Sequence, residues 1–325
     1  MSKVLVNTLG LGTVGVASFF WGRSSTPADV ATESKTDSKN LPAIVNGGNG
    51  APDKALFNPE LVKPSQFFKY GFPGPIHDLQ NRSEFVSCYN RQTRNPYWVV
   101  EHITKESVQR GSGVDRKNSV FKEDEAIPAK FRSRLRDFFR SGYDRGHQAP
   151  AADAKFSQVA MDETFYLTNM SPQVGDGFNR DYWAHFEDFA RRLTNRYDNV
   201  RIMTGPLFLP KRCDDGKYRV TYEVIGSPPN VAVPTHFFKL IVGENNGDDR
   251  ISVGAFVLPN ERIDNTDDLT KYQVPVEALE RSTGLELLQK VPFSKKKDLC
   301  REVKCEILVR EFPKQAKNVL ALPGK

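Results

Sequence analysis

The chain has 325 residues, 38% hydrophobic and 26% charged, which fits an ordinary globular protein and excludes a disordered or fibrous one. Its 46 Lys and Arg against 40 Asp and Glu leave a formal charge of +6, a lean toward polyanions that proteins binding no nucleic acid or anionic lipid also show. Cys88, Cys213, Cys300 and Cys305 are too few and scattered for a disulfide scaffold. The pair Cys300 and Cys305 lacks a second Cys/His pair for a tetrahedral metal site, so idle thiols are expected there, with a disulfide between them as the alternative.

Along the chain, one lysine and then an apolar, Gly-rich run from Val4 to Trp21 precede any acidic residue, the first being Asp29. Residues 1–23 therefore read as a targeting or anchoring segment, of mitochondrial type because no A-x-A-like cleavage site follows the run. Gly10, Gly12 and Gly15 form a small-residue stripe that membrane helices tolerate. Residues 24–65, rich in Ser, Thr, Asp, Asn, Gly and Pro, read as a flexible linker, and 314–325 as a tail. Between them lies one domain, 66–313, opening near Phe67.

Within it, the apolar runs 96–103, 164–170, 200–209, 237–242, 251–258 and 305–312 predict strands, several rich in aromatic and β-branched residues. KFRSRLRDFFR (130–140) predicts a helix with Phe131, Leu135, Phe138 and Phe139 on one face. NRDYWAHFEDFARRLTNRY (179–197) predicts a second, with Trp183, Phe186, Ala190, Leu193 and Tyr197 aligned. A third is expected from Pro275 to Gly284, Pro first and Gly last. Strands outnumber helices and do not alternate with them, which predicts an α+β fold around a mostly antiparallel sheet.

The chemistry-bearing residues sit beside these elements. In SGYDRGHQAPAAD (141–153), His147 follows Arg145, and Lys130, Arg132, Arg134, Arg136 and Arg140 precede both. A lone histidine is ordinarily structural. A neutral imidazole next to a guanidinium, however, can take a proton from water while the guanidinium grips phosphate oxygens, and Gly146 between them would let the backbone approach closely. Asn179 opens the second predicted helix, where it could cap the first turn or offer a hard amide oxygen to Mg2+. On an ideal helix Glu187 would lie roughly 12 Å up the axis from Asn179 and about 80° around it.

YDRGHQAPAAD, DETFYLTNMSPQ (162–173) and FNRDYWAHFED (178–188) resemble the DNA/RNA non-specific endonuclease family, and TGPLFLP (204–210) with VAVPTHFFK (231–239) resembles its endonuclease G branch. The likeness runs from about Phe67 to Phe312. It implies a ββα-metal, or His-Me finger, fold with His147 on one strand, Asn169 on the next and Asn179 on the helix across them. It implies His147 as general base, Asn179 as direct ligand of Mg2+ (Mn2+ as substitute), Glu187 orienting metal-bound water, and Asn169 supporting the site. Arg145, and Arg116 in DRKNSVFKED, would hold phosphate; Asp144 would orient the loop. The implied partners are DNA and RNA, a second copy of the chain in a homodimer, and a membrane touched by the N-terminal segment, with a mitochondrial address at the inner membrane or intermembrane space.

The reaction so implied is hydrolysis of phosphodiester bonds to 5′-phosphate and 3′-hydroxyl ends, the leaving oxygen protonated by metal-bound water. Nothing in it needs a 2′-hydroxyl, so both nucleic acids should serve. Activity is expected to fall as His147 protonates between roughly pH 5 and 8. Two rival classes are a catalytically silent nuclease-fold scaffold, which would lack His147, Asn179 or Glu187, and a basic membrane adaptor, which leaves the motifs unexplained.

Overall fold

The computed structural model describes residues 64–74 and 78–310. The predicted segment 1–23, nearly all of the predicted linker and the tail lie outside them; a first turn of helix, α1 (Pro64–Phe67), already stands where the linker was expected to end. In chain order follow β1 (Leu79–Asn81), β2 (Phe85–Asn90), β3 (Asn95–Ile103), α2 (Leu135–Phe138), β4 (Tyr143–His147), α3 (Gln158–Glu163), β5 (Met170–Val174), α4 (Tyr182–Arg192) and β6 (Asn199–Leu207). Two short ribbons, β7 (Lys211–Arg212) with β8 (Tyr218–Arg219) and β9 (Val224–Ile225) with β10 (Val231–Ala232), precede β11 (His236–Glu244) and β12 (Ile251–Pro259). Then come β13 (Gln273–Val274), α5 (Val276–Thr283), β14 (Lys296–Asp298) and α6 (Leu299–Glu302).

The central sheet runs β1-β2-β3-β6-β11-β12-β13, antiparallel at every step, with β14 added parallel to β12. The fold is thus α+β with a mostly antiparallel sheet, as the element pattern predicts. Both sheet faces are covered, which is why its strands read as continuous apolar runs. Side chains alternate across the pleat. Trp98, Val100, Phe238, Leu240 and Val242 pack with Phe67, Leu279 of α5 and Leu285 on one side. Ile103, Ile202, Phe237 and Ile241 pack on the other against Trp183, Phe186 and Ala190 of α4 and Leu193 just after it. The ring contacts Trp183–Phe237 (5.6 Å between centroids) and Phe186–Phe256 (5.2 Å) seat α4 on the sheet, and truncating either aromatic on α4 would cost about 3–5 kcal/mol.

Several expectations hold. The runs at 96–103, 200–209, 237–242 and 251–258 are β3, β6, β11 and β12, and α5 is flanked by Pro275 and by Gly284 in the left-handed region (φ 70°). Others do not. Residues 164–169 form turns and one 3-10 turn (Leu167–Asn169) instead of a strand, which begins only at Met170, their backbone being held by Lys122 and by local bonds such as Asn169 N–H to Tyr166 O. Residues 304–310 form no strand. The predicted helix 130–140 shrinks to a 3-10 turn (Ala129–Phe131) and the four residues of α2, because Arg134 is extended (φ −118°, ψ 149°) and Arg140 has φ 53°. Cys300 and Cys305 are joined in a disulfide, which corrects the expectation of idle thiols. No helix among the described residues is long and apolar enough to cross a membrane.

Candidate active site

β4 and β5 pair as an antiparallel ribbon in which His147 faces Met170 and Gly146 faces Ser171. Side chains two apart share a ribbon face, so Arg145 and His147 project together. Gly146 is required by contact: a Cβ there would fall 1.9 Å from Oε1 of the fully buried Gln173.

The imidazole of His147 is boxed by two aromatic rings, Phe165 edge-on at 4.8 Å and Phe121 at 5.7 Å. Each ring also carries a guanidinium. Arg145 lies 4.3 Å from the Phe121 centroid and Arg116 lies 5.4 Å from that of Phe165, within cation–π range. The rings thereby place two cations beside one buried base. Burial, followed by the charges of Arg116 and Arg145, pushes the His147 pKa well below its ordinary 6.5. Its neutral, proton-accepting form therefore persists to lower pH than that of an unperturbed imidazole.

Asn169 lies behind this strand, fully buried in the turn before β5 and not on a strand. Its Oδ1 accepts from Ala149 N–H (2.9 Å), while its Nδ2 donates to Ala149 O (2.9 Å) and Thr164 O (2.8 Å). Gln148 N–H donates to its backbone carbonyl. Both polar atoms of the side chain are bonded to Ala149, two residues beyond His147, and the amide nitrogen also to Thr164.

Asn179 departs from its predicted place. Residues Gly175–Asn179 form a wide turn with Gly177 at φ 74°, and α4 begins only at Tyr182, so Asn179 precedes the helix and does not cap it. The ideal-helix offset between Asn179 and Glu187 does not apply. The Asn179 Nδ2 donates to Asp144 Oδ2 (2.9 Å), which also pairs with Arg180 Nε (3.4 Å). A carboxylate can only accept, so the Asn179 carbonyl oxygen is the end left to face a ligand. That is a hard donor of the kind Mg2+ takes alongside water. Among the described residues no three His, Cys, Asp or Glu side chains converge as a metal site.

Glu187 sits on α4 with its carboxyl pushed up to about 7, first by burial; the fields of Lys239, Arg191 and Arg116 oppose that rise and Asp153 adds to it. Arg116 thus acts on both His147 and Glu187. The structure brings His147, Arg145, Arg116 and Glu187 into one electrostatic neighbourhood, ties Asn179 to the residue preceding Arg145, and keeps Asn169 behind the strand.

A sequence model of DNA/RNA non-specific endonuclease matches residues 63–294, most of the chain. The chain belongs to the DNA/RNA non-specific endonuclease family. As a member it is a hydrolase of nucleic-acid phosphodiester bonds, which removes the silent-scaffold and adaptor readings. It is 69% identical to the mitochondrial nuclease of Saccharomyces cerevisiae over 271 residues, spanning 81% of this chain and 82% of that one. It is 45% identical to the mitochondrial endonuclease G of Homo sapiens over 217 residues, 67% of this chain and 71% of that one. Among solved structures, a crystal structure of an EndoG/EndoGI complex aligns with a TM-score of 0.69 and 48% identity, covering 72% of this chain and 97% of that one.

Three members of the site in this endonuclease escaped the sequence reading. Phe121 and Phe165 lie inside the quoted motifs DRKNSVFKED and DETFYLTNMSPQ, but an aromatic there is indistinguishable from core until its ring is seen against His147. Lys239 is hidden inside an apolar strand, where a single lysine between Phe238 and Leu240 was the available signal.

Proposed function

We propose that this chain cuts DNA and RNA endonucleolytically to 5′-phosphate and 3′-hydroxyl ends, with neutral His147 as the general base. The observation that carries this reading is the buried imidazole between Phe121 and Phe165, flanked by Arg145 and Arg116. In the proposed reaction His147 takes the proton of the attacking water, while Arg145 and Arg116 hold the non-bridging phosphate oxygens. Asn169 holds the strand that carries the base, and Asp144 turns the Asn179 carbonyl outward. Mg2+, or Mn2+ in its place, would bind at Asn179 and neutralise charge on the scissile phosphate as a Lewis acid. Glu187 orients water next to Asn179 in its carboxylate form. The ribbon β4–β5, the turn carrying Asn179 and the helix α4 support a ββα-metal, His-Me finger assignment for this unit.

The remaining readings are proposals of the same standing: residues 1–23 as a targeting or anchoring segment, 24–65 as linker, and a mitochondrial address at the inner membrane or intermembrane space. The similar yeast and human nucleases are mitochondrial enzymes by name, which supports the organelle. The exposed apolar residues Tyr218, Val220, Tyr222 and Val224 support self-association as a homodimer, to be read by sedimentation velocity.

The test of the proposed chemistry is the nature of the ends. DNA fragments made by the enzyme should be sealed by DNA ligase without prior kinase or phosphatase treatment. Fragments that seal only after a 3′-phosphate is removed would rule the proposed chemistry out.

A further inference from the structure

On the sheet face beneath the site, apolar residues give way to a charged island. Glu101 projects from β3, Thr204 from β6 and Lys239 from β11, with Thr204 and Lys239 directly cross-strand. Glu84, just before β2, and Asp153, in the segment after β4, close it, and Glu187 and Arg191 reach it from α4. Glu84, Glu101, Asp153 and Lys239 are each 3% exposed or less. Four carboxyl groups thus share a volume with two interior cations. Arg191 is committed to Asp153 through a 2.8 Å ion pair. Lys239 instead donates to Thr204 Oγ1 at 2.8 Å and lies 4.8 Å from the Trp183 ring centroid. Its charge therefore acts through space on Glu84, Glu101 and Glu187 together.

No protein group donates to the buried carboxyl oxygens of Glu84 or Glu101. Buried carboxyls without donors are stabilised as anions only by nearby positive charge. We propose that Lys239 is a positioning residue for phosphodiester cleavage, its buried charge balancing Glu84 and Glu101 so that the Glu187 carboxylate keeps its place and charge above them. The inference rests on the site reading given above. Lys239 does not touch substrate. It acts on the geometry and field at Glu187 from the floor of the site.

The test is a charge-compensation cycle on the full chain with supercoiled plasmid and Mg2+: wild type, Lys239→Met, Glu101→Gln and the double variant, with His147→Ala alongside and thermal unfolding of each. Lys239→Met should lower kcat about tenfold or more while KM stays within about threefold, because substrate contacts are untouched. Removing one acid should offset removing the base, so the double variant should return to within about threefold of Glu101→Gln, a recovery that a packing role would not produce. If Lys239→Met does not fold, the double variant should fold and cut, which reports the same compensation. A double variant that is unfolded, or as slow as Lys239→Met, overturns the proposal, as does a Lys239→Met enzyme with wild-type kcat. These results differ from failure of the site itself: His147→Ala cutting like wild type would remove both readings, whereas an inactive His147→Ala without compensation removes only this one.

Discussion

Asn169→Ala tests how the base is held. The substitution strips three hydrogen bonds from a fully buried position and leaves Ala149 N–H, Ala149 C=O and Thr164 C=O without their partner. At about 1–3 kcal/mol for each orphaned buried group, the loss is roughly 3–9 kcal/mol, against a total stability of about 5–15 kcal/mol for a typical domain. Urea unfolding should therefore show a midpoint far below wild type or no folded baseline at all. Asn169→Asp keeps the shape and the acceptor but loses both N–H donors, so it should fall between the two proteins and recover partly at acid pH, where a protonated carboxyl can donate once. Loss of activity should track loss of structure in both. Stability within about 1 kcal/mol of wild type would refute the accounting of these bonds, and an inactive but fully stable Asn169→Ala would place Asn169 in contact with the chemistry.

The acid limb of the pH-rate profile should belong to Glu187, whose carboxyl burial pushes up to about 7 and which is needed as a carboxylate. Activity then falls as pH drops through that midpoint, and added Mg2+ should move the midpoint lower because a cation favours the charged form; a midpoint insensitive to Mg2+ would contradict this. The same raised carboxyl contributes stability that is complete below about 4.3, its unfolded value, and is lost as pH rises through about 7. Glu187→Gln should consequently gain in melting temperature relative to wild type between pH 5 and 8. Gly146→Ala forces a methyl into the side chain of Gln173 and should cost about 1–3 kcal/mol in urea unfolding, with cleavage reduced. Nucleic-acid affinity, led by phosphate contacts, should fall linearly on a log–log plot against salt, and Arg145→Ala should flatten the slope by about one contact.

Long apolar strands were legible because both faces of the central sheet are covered, so β3, β6, β11 and β12 announce themselves by composition. Helix α5 was legible from its Pro and Gly punctuation. What failed was local: residues 164–170 carry strand-like composition, but their backbone bonds go to Lys122 and to neighbouring turns. The periodic pattern beginning near Asn179 predicts that it opens the helix, whereas the Gly-rich stretch before it, with Gly177 at positive φ, delays α4 to Tyr182. For the site, DRGH announced His147 and Arg145. The aromatic box and the charged island at Lys239 could not be read, since each joins residues far apart in sequence and similar to ordinary core.

The most direct measurement is cleavage of supercoiled plasmid and of RNA by the purified wild-type protein and by His147→Ala, each with Mg2+ and with EDTA. The account predicts that wild type cuts both substrates only with the metal and that His147→Ala, folded to the same melting temperature, cuts neither. A folded His147→Ala that cuts as fast as wild type would contradict it.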